Sequence, residues 1–256
     1  MAERGRVFRG APRLGRGAPS VGGFGGPAAR PPKITVLIPA GGIGGRLGRR
    51  TPKQFLALGG GSVLAATVAH FARYPAIGVV VVAAPAAHVN RARLALRTLR
   101  HRRAITVVSG GATRQESVWL ALQAAPDDVD LVVVHDAVRP FITRGLIDAV
   151  VGAARRTGAA ICALPVAETV KRVRGDEVEA TIDRTDLWTV QTPQAFRAAL
   201  LREAHEKARR DGVLGTDDAA LVERLGHPVK VVRGLEQNLK ITTPEDLRRA
   251  RRMAIL

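Results

Sequence analysis

Residues 34–55 read ITVLIPAGGIGGRLGRRTPKQF, an apolar run that breaks into a loop carrying five glycines and then into Arg49, Arg50, Thr51, Pro52 and Lys53. Glycine-rich turns behind strands bind phosphate, because without Cβ atoms the backbone N–H groups can approach oxygen closely. Which such loop this is decides both fold and chemistry. A P-loop needs glycine, four residues, then Gly-Lys-Ser/Thr, whereas Lys53 follows Pro52 and sits in no such frame. The dinucleotide fingerprint needs a third glycine and a carboxylate about 20 positions on. Gly42 and Gly44 match it, but Leu47 stands at the third position, and no Asp or Glu occurs between Glu3 and Glu116. What remains is a loop of N–H donors with two cations, Arg46 inside it and Lys53 beyond it, with Pro52 stiffening the approach. Beside a triphosphate, those cations would neutralise charge on the reacting phosphorus and the departing pyrophosphate. A plain glycine turn with incidental surface charges is the competing reading.

Outward from this loop, apolar runs alternate with helical patterns. Strands are expected over 34–39, 77–84, 105–108, 131–135 and 159–164, where continuous Val, Ile and Leu content points to burial on both faces. Helices are expected over 62–73, 86–100, 113–124 and 143–156, with Thr113 and Glu116 forming a capping box and Thr143 an N-cap. Thr243, Pro244 and Asp246 start a last helix. This alternation predicts an α/β, Rossmann-like fold, a mostly parallel central sheet with helices on both faces. Residues 166–184 break the rhythm. Short bursts around Arg174, Gly175 and Asp176 predict a projecting β-hairpin arm, either reaching a partner subunit or lying as an ordinary surface hairpin. Residues 33–256 are expected to form a single domain. The preceding tail, 1–32, is rich in Gly, Pro and Arg without apolar periodicity and is expected to be disordered.

Hydrophobic residues make up 46% and charged residues 24%, the balance of a soluble globular chain. No apolar run approaches the roughly 20 residues of a membrane helix, so no membrane span is expected. The single cysteine, Cys162 within GAAICALP, reads as a small core residue, excludes a disulfide scaffold and suits a reducing cytoplasm. The formal net charge is +18. From Glu116 onward the chain carries 21 acidic and 21 basic side chains, so the excess lies in the first 115 residues. A basic half suggests nucleic acid or a small polyanion such as a nucleoside triphosphate, or simply an arginine-rich bias. Two Trp, one Tyr and six Phe are too few and too scattered to supply stacking platforms, which argues against specific nucleic-acid binding.

The stretch PAGGIGGRLGRRTPKQF resembles the signature loop of the sugar-phosphate nucleotidyltransferases, and its PKQF ending resembles the polyol-phosphate cytidylyltransferases. Further along come HDAVRPF (135–141), TIDRTDLWTVQTPQAF (181–196), GTDDAALVERLG (215–226) and NLKITTPEDL (238–247). In that order they are similar to the 2-C-methyl-D-erythritol 4-phosphate cytidylyltransferase family, from about Lys33 to Ala250. The resemblance implies an enzyme that transfers CMP from CTP to 2-C-methyl-D-erythritol 4-phosphate, giving the CDP-alcohol and pyrophosphate in non-mevalonate isoprenoid precursor synthesis. It implies that Ala40, Gly41, Gly42, Gly44 and Gly45 cradle CTP, and that Arg46 and Lys53 stabilise the pentacoordinate transition state. Arg114 and Ser117 would lie beside base and ribose. Asp136 would meet the ribose or the cofactor Mg2+, braced by Arg139, unless CTP and water alone hold the metal. A structural salt bridge is the bland reading of that pair, and His135 is read as orienting the turn. The arm would cross to the neighbouring subunit of a homodimer, carrying Thr169 and Arg184 to the polyol phosphate. Thr192, Thr216 and Lys240 would complete that pocket, with Arg184 and Lys240 counted among the catalytic cations. Two features depart from the family pattern: AGGIGG lacks a second alanine before the first glycine, and Gly45 stands where a second basic residue is common.

The implied nucleophile is a phosphate monoester whose second pKa is about 6, already anionic at neutral pH. No general base is needed, and catalysis rests on positioning and charge stabilisation. Ribitol-5-phosphate (pentitol) cytidylyltransferases share HDAVRPF and remain the alternative, although TIDRTDLW and NLKITTPEDL favour the methylerythritol enzyme. More remote is a basic nucleic-acid-binding protein led by the tail.

Overall fold

Strand β1 (Ile34–Pro39) is buried at every residue, and side-chain alternation explains how. Ile34, Val36 and Ile38 face one hydrophobic layer and Leu37 faces the other. The same division recurs in β4 (Ile77–Ala84), with Val80 and Val82 on one side and Val81 and Ala83 on the other. In β6 (Leu131–Val134), Leu131 and Val133 oppose Val132 and Val134. Each of these Val, Leu and Ile side chains contributes about 1.5–3 kcal/mol by leaving water. Aspartate in place of Val36, which has no exposed surface, would bury a carboxylate without a partner.

The computed structural model describes residues 33–41, 51–99 and 104–254. The first face of the sheet is covered by α1 (Val63–Ala72), α2 (Val89–Leu96) and α4 (Arg144–Thr157), through Phe71, Leu96 and Val150 among others. The second is covered by α3 (Arg114–Gln123), α5 (Ala198–Arg210) and α6 (Asp218–Glu223), through Leu122, Leu201 and Leu221. A small hairpin, β2 (Ala57–Leu58) with β3 (Gly61–Ser62), shares a third cluster with α7 (Pro244–Met253), where Leu58 and Leu247 are buried together. The remaining strands are β5 (Ala104–Ser109), β7 (Ala159–Pro165), β8 (Val170–Arg174), β9 (Glu177–Ile182), β10 (Trp188–Arg197) and β11 (Lys230–Arg233).

The central sheet runs β11-β7-β10-β6-β1-β4-β5. Every pairing is parallel except those of β10, which is antiparallel to both β6 and β7. The α/β architecture expected from the alternation is therefore the observed one. Strands β8 and β9 pair only with each other, forming the hairpin expected near 166–184, with Gly175 at a positive φ of 61° in its turn.

Local differences have local causes. The helix expected over 86–100 opens with a 3-10 turn, Ala86–His88, and only then becomes α2, since no side chain caps either start. Thr113 Oγ1 accepts from the Glu116 N–H at 3.0 Å, but Glu116 returns its carboxylate to the Ala112 N–H (2.8 Å), one residue before the expected capping-box partner. At α7 the box is complete: Thr243 accepts from the Asp246 N–H and Asp246 from the Thr243 N–H. Helix α4 ends at Gly158, whose φ of 91° favours glycine; a Cβ there would lie 2.9 Å from the His227 ring. Cys162 is buried and its thiol is pushed up to about 12 by that burial, which suits an inert core residue. The tail 1–32 lies outside the described residues.

Candidate active site

The parallel strands deliver their C-terminal ends to one rim, where ligand groups collect in open α/β sheets. From β1 come Ala40 and Gly41, with Ala40 N–H donating to Ala83 O at 2.8 Å. Lys53 follows on a 3-10 turn (Lys53–Phe55), and that turn is pinned from inside: the buried Gln54 donates its amide to Ala40 O. From β5 comes the Gly110–Gly111 turn into α3, with Thr113 as N-cap and Arg114 in the first helical position. Gly110 is required by close approach, because a Cβ there would lie 2.8 Å from Ser117 Oγ. The end of β6 supplies Asp136.

Asp136, 7% exposed, is the electrostatic centre. Its carboxylate lies 2.9 Å from Lys240 Nζ, 3.4 Å from Arg114 Nε and 3.5 Å from Arg139 Nε. Burial works against ionisation, but Arg114, Lys240 and Arg139 outweigh it and hold the carboxyl well below the usual range. Arg114 is raised in turn: burial opposes its charge, and Asp218 and Asp136 more than compensate. Lys240 reaches this point because the next residue, Ile241, donates its N–H to Val138 O at 2.9 Å.

Behind the centre lies a bonded frame. Thr192 Oγ1 on β10 accepts from the Asp136 N–H (3.0 Å) and pairs with His135 Nδ1 at 3.1 Å. His135 Nε2 faces Arg139 O at 3.0 Å, so the ring donates there and accepts the threonine hydroxyl. Burial pulls its pKa down to about 4, which keeps it neutral. This is an orienting histidine, as expected. Arg139 Nη1 donates to Asn238 O (2.7 Å), and Asn238 Nδ2 donates to Thr192 O (2.8 Å), tying the β6 turn to β10.

Two adjoining clefts result. Ala40, Gly41, Lys53, Arg114, Asp136 and Lys240 stand on the first. Arg139, Thr192 and Thr216 stand on the second, which shares Arg114, Asp136 and Lys240 with it. Ser117 lies just behind the first cleft: fully buried, its hydroxyl donates to Thr113 O (2.9 Å) and accepts from the Gly111 N–H (3.2 Å). It holds the glycine turn from behind, its Oγ 3.4 Å from where a Cβ on Gly41 would stand. Thr169 and Arg184 are exposed on the arm and line neither cleft. Gly42, Gly44, Gly45 and Arg46 lie outside the described residues. Gln54, Asn238 and Asp218 were not singled out by sequence, although each sits within a quoted motif.

The sequence model of the 2-C-methyl-D-erythritol 4-phosphate cytidylyltransferase family matches residues 34–255. A relative of that name from Symbiobacterium thermophilum is 48% identical over 219 residues, covering 85% of this chain and 91% of the relative. Another from Salinibacter ruber is 47% identical over 213 residues, 83% of this chain and 89% of the relative. The solved 2-C-methyl-D-erythritol 4-phosphate cytidylyltransferase of Thermus thermophilus superposes with a TM-score of 0.73 at 41% identity, covering 88% of this chain and 100% of that one.

Proposed function

The chain belongs to the 2-C-methyl-D-erythritol 4-phosphate cytidylyltransferase family, and on that footing we propose how it works. It is a nucleotidyltransferase that transfers CMP from CTP to 2-C-methyl-D-erythritol 4-phosphate, yielding the CDP-alcohol and pyrophosphate in isoprenoid precursor synthesis. The observation that carries the reading is the wall common to both clefts, where Arg114 and Lys240 flank Asp136. Two phosphate-bearing substrates meeting there would find more positive than negative charge, with Lys53 adding to it.

CTP takes the first cleft, against Ala40, Gly41 and the glycine loop, with Arg114 beside it. The polyol phosphate takes the second, met by Lys240 and Thr216. One of its phosphate oxygens attacks the α-phosphorus; the new O–P bond forms as the bond to the bridging oxygen breaks, and the electron pair leaves on pyrophosphate. Arg46 and Lys53 stabilise the charge that spreads over the phosphoryl oxygens. Thr192 acts through Asp136, since its hydroxyl is already bonded there. Asp136 does not suit a dedicated metal ligand. It is the one carboxylate on the first cleft among the described residues, and its oxygens already meet Lys240, Arg114 and Arg139. No cluster of three metal-binding side chains occurs among those residues. Mg2+ on this reading arrives with the triphosphate, held by its oxygens and water.

The exposed arm supports a homodimer in which Thr169 and Arg184 serve the neighbouring subunit's polyol phosphate, and the proposed enzyme works in the cytoplasm. Val173 and Val178 on it, and Trp188 and Val190 beyond it, expose apolar surface suited to a partner. No helix among the described residues is long and apolar enough to cross a membrane. The test is pyrophosphate release with CTP and Mg2+, offering methylerythritol phosphate and ribitol phosphate separately. Release with the former alone is expected. Release with ribitol phosphate would transfer the protein to the pentitol acceptors, and silence with both would overturn the enzymatic reading.

A further inference from the structure

His205 on α5 lies outside both clefts and has no exposed surface, yet it is bonded toward them. Its Nε2 is 3.0 Å from Asp218 Oδ1, and Asp218 Oδ2 accepts from Arg114 Nη1 at 2.7 Å. Nδ1 is buried with no partner, so the proton belongs on Nε2 and the bond runs from Nε2–H to the carboxylate. The ring is fixed from a second direction by Trp119 of α3, stacked with centroids 6.2 Å apart and planes 20° apart. Arg209 lies over that indole at 5.1 Å.

Asp218 is itself 1% exposed. Burial alone would push its carboxyl up, but Arg114 and His205 outweigh it and keep it below the usual range. With one oxygen for each partner, Asp218 is a two-point bridge from α5 to the cleft wall. Arg114 is therefore gripped from two sides, Nη1 by Asp218 and Nε by Asp136. A guanidinium is a planar fork, so two such contacts fix its plane as well as its position.

We propose that His205 is a positioning residue for nucleotide binding, acting through Asp218 to hold Arg114 at the wall between the clefts. The proposal rests on Arg114 lying beside the nucleotide, as read above. Without the imidazole donor, Asp218 can turn and the Arg114 fork loses one of its two anchors. The substrate would then have to order Arg114 on binding, which weakens affinity more than turnover.

Two readouts test this. The first is the Nε–Hε nuclear resonance of Arg114, assigned by its disappearance in Arg114→Lys and read in wild type, His205→Leu and His205→Gln. The second is KM for CTP and kcat, with His205→Leu also placed in the Arg114→Ala background. His205→Leu keeps bulk and removes the donor. It is expected to broaden the Arg114 signal and raise KM about tenfold, with kcat within about twofold. His205→Gln, whose amide N–H can reach Asp218, restores both. In the Arg114→Ala background His205→Leu adds nothing to KM, whereas a general packing defect would add the same factor. An unmoved Arg114 signal in folded His205→Leu, or an equal KM rise in both backgrounds, overturns the proposal. Should His205→Leu fail to fold, Asp218→Asn is read the same way, and an unmoved signal there overturns it. If the wild type lacks turnover with CTP and methylerythritol phosphate, the functional reading fails, and the Arg114 resonance alone decides this one.

Discussion

Replacing Asp136 with asparagine removes one negative charge from among three cations while barely changing side-chain shape. Breaking a buried ion cluster by deleting one partner typically costs about 3–5 kcal/mol, because the survivors lose their counter-charge. The three contacts do not weigh equally. The Lys240 side chain is 42% exposed, so its share is screened to about 0–1 kcal/mol. Arg114 at 30% and Arg139 at 10% carry the rest, which puts the loss near the lower end, at about 3 kcal/mol. At roughly 2–4 °C per kcal/mol for a chain of this size, the midpoint of thermal unfolding should fall by about 6–12 °C. A pH dependence follows as well. The carboxyl is depressed in the folded state, so its stabilisation is fully present above the ordinary value of about 3.9 and is lost as pH falls through the folded value. Urea unfolding of both proteins should show a constant gap from about pH 7 to pH 5 that narrows below about pH 4. A gap under about 1 kcal/mol at pH 7 would show that water, rather than Asp136, balances these cations. A gap that stays constant to about pH 3 would show that charge is not the cause.

Lys53→Ala and Arg46→Ala should each lower turnover about 100-fold or more in the pyrophosphate assay, and near-normal rates in both would refute their assigned roles. His135 should make stability fall on acidification between about pH 6.5 and its folded value of about 4, where the unfolded chain takes a proton that the buried ring refuses. The loss reaches about 3 kcal/mol, so the advantage of wild type over His135→Gln, followed by urea unfolding, should shrink across that window. Replacing residues 170–182 with a short glycine link should leave the main sheet folded, because β8 and β9 pair only with each other. Sedimentation should then show a smaller species, and KM for the polyol phosphate should rise more than KM for CTP.

Where the sheet is apolar on both faces, its sequence is transparent. Strands β1 and β4 fall at the residues expected, since nearly all their apolar side chains pack against one layer or the other. Strand β10 was not expected at all. Its segment Gln191-Thr192-Pro193-Gln194 is polar and contains proline, which cannot donate to a ladder and argues against a central strand. The sheet admits it by an irregularity: pairing with β7 jumps from Gln191 opposite Cys162 to Gln194 opposite Ile161, so Thr192 and Pro193 stand out of register. Those out-of-pattern residues are the ones with work in the site. Thr192 holds the Asp136 N–H, Gln194 holds Asp217, and Gln191 takes the amide of Asn238. Asp218 was hidden for a related reason, because its partner Arg114 is 104 positions away and local pattern carries no trace of such a bond. Periodicity reports which face of an element is apolar. It is silent on buried polar groups whose partners arrive from other elements, and these are what convert the rim of an α/β sheet into a site. On the proposed reading the glycine loop signals the chemistry in sequence, whereas the residues that would aim it are those that read as poor strand or ordinary surface.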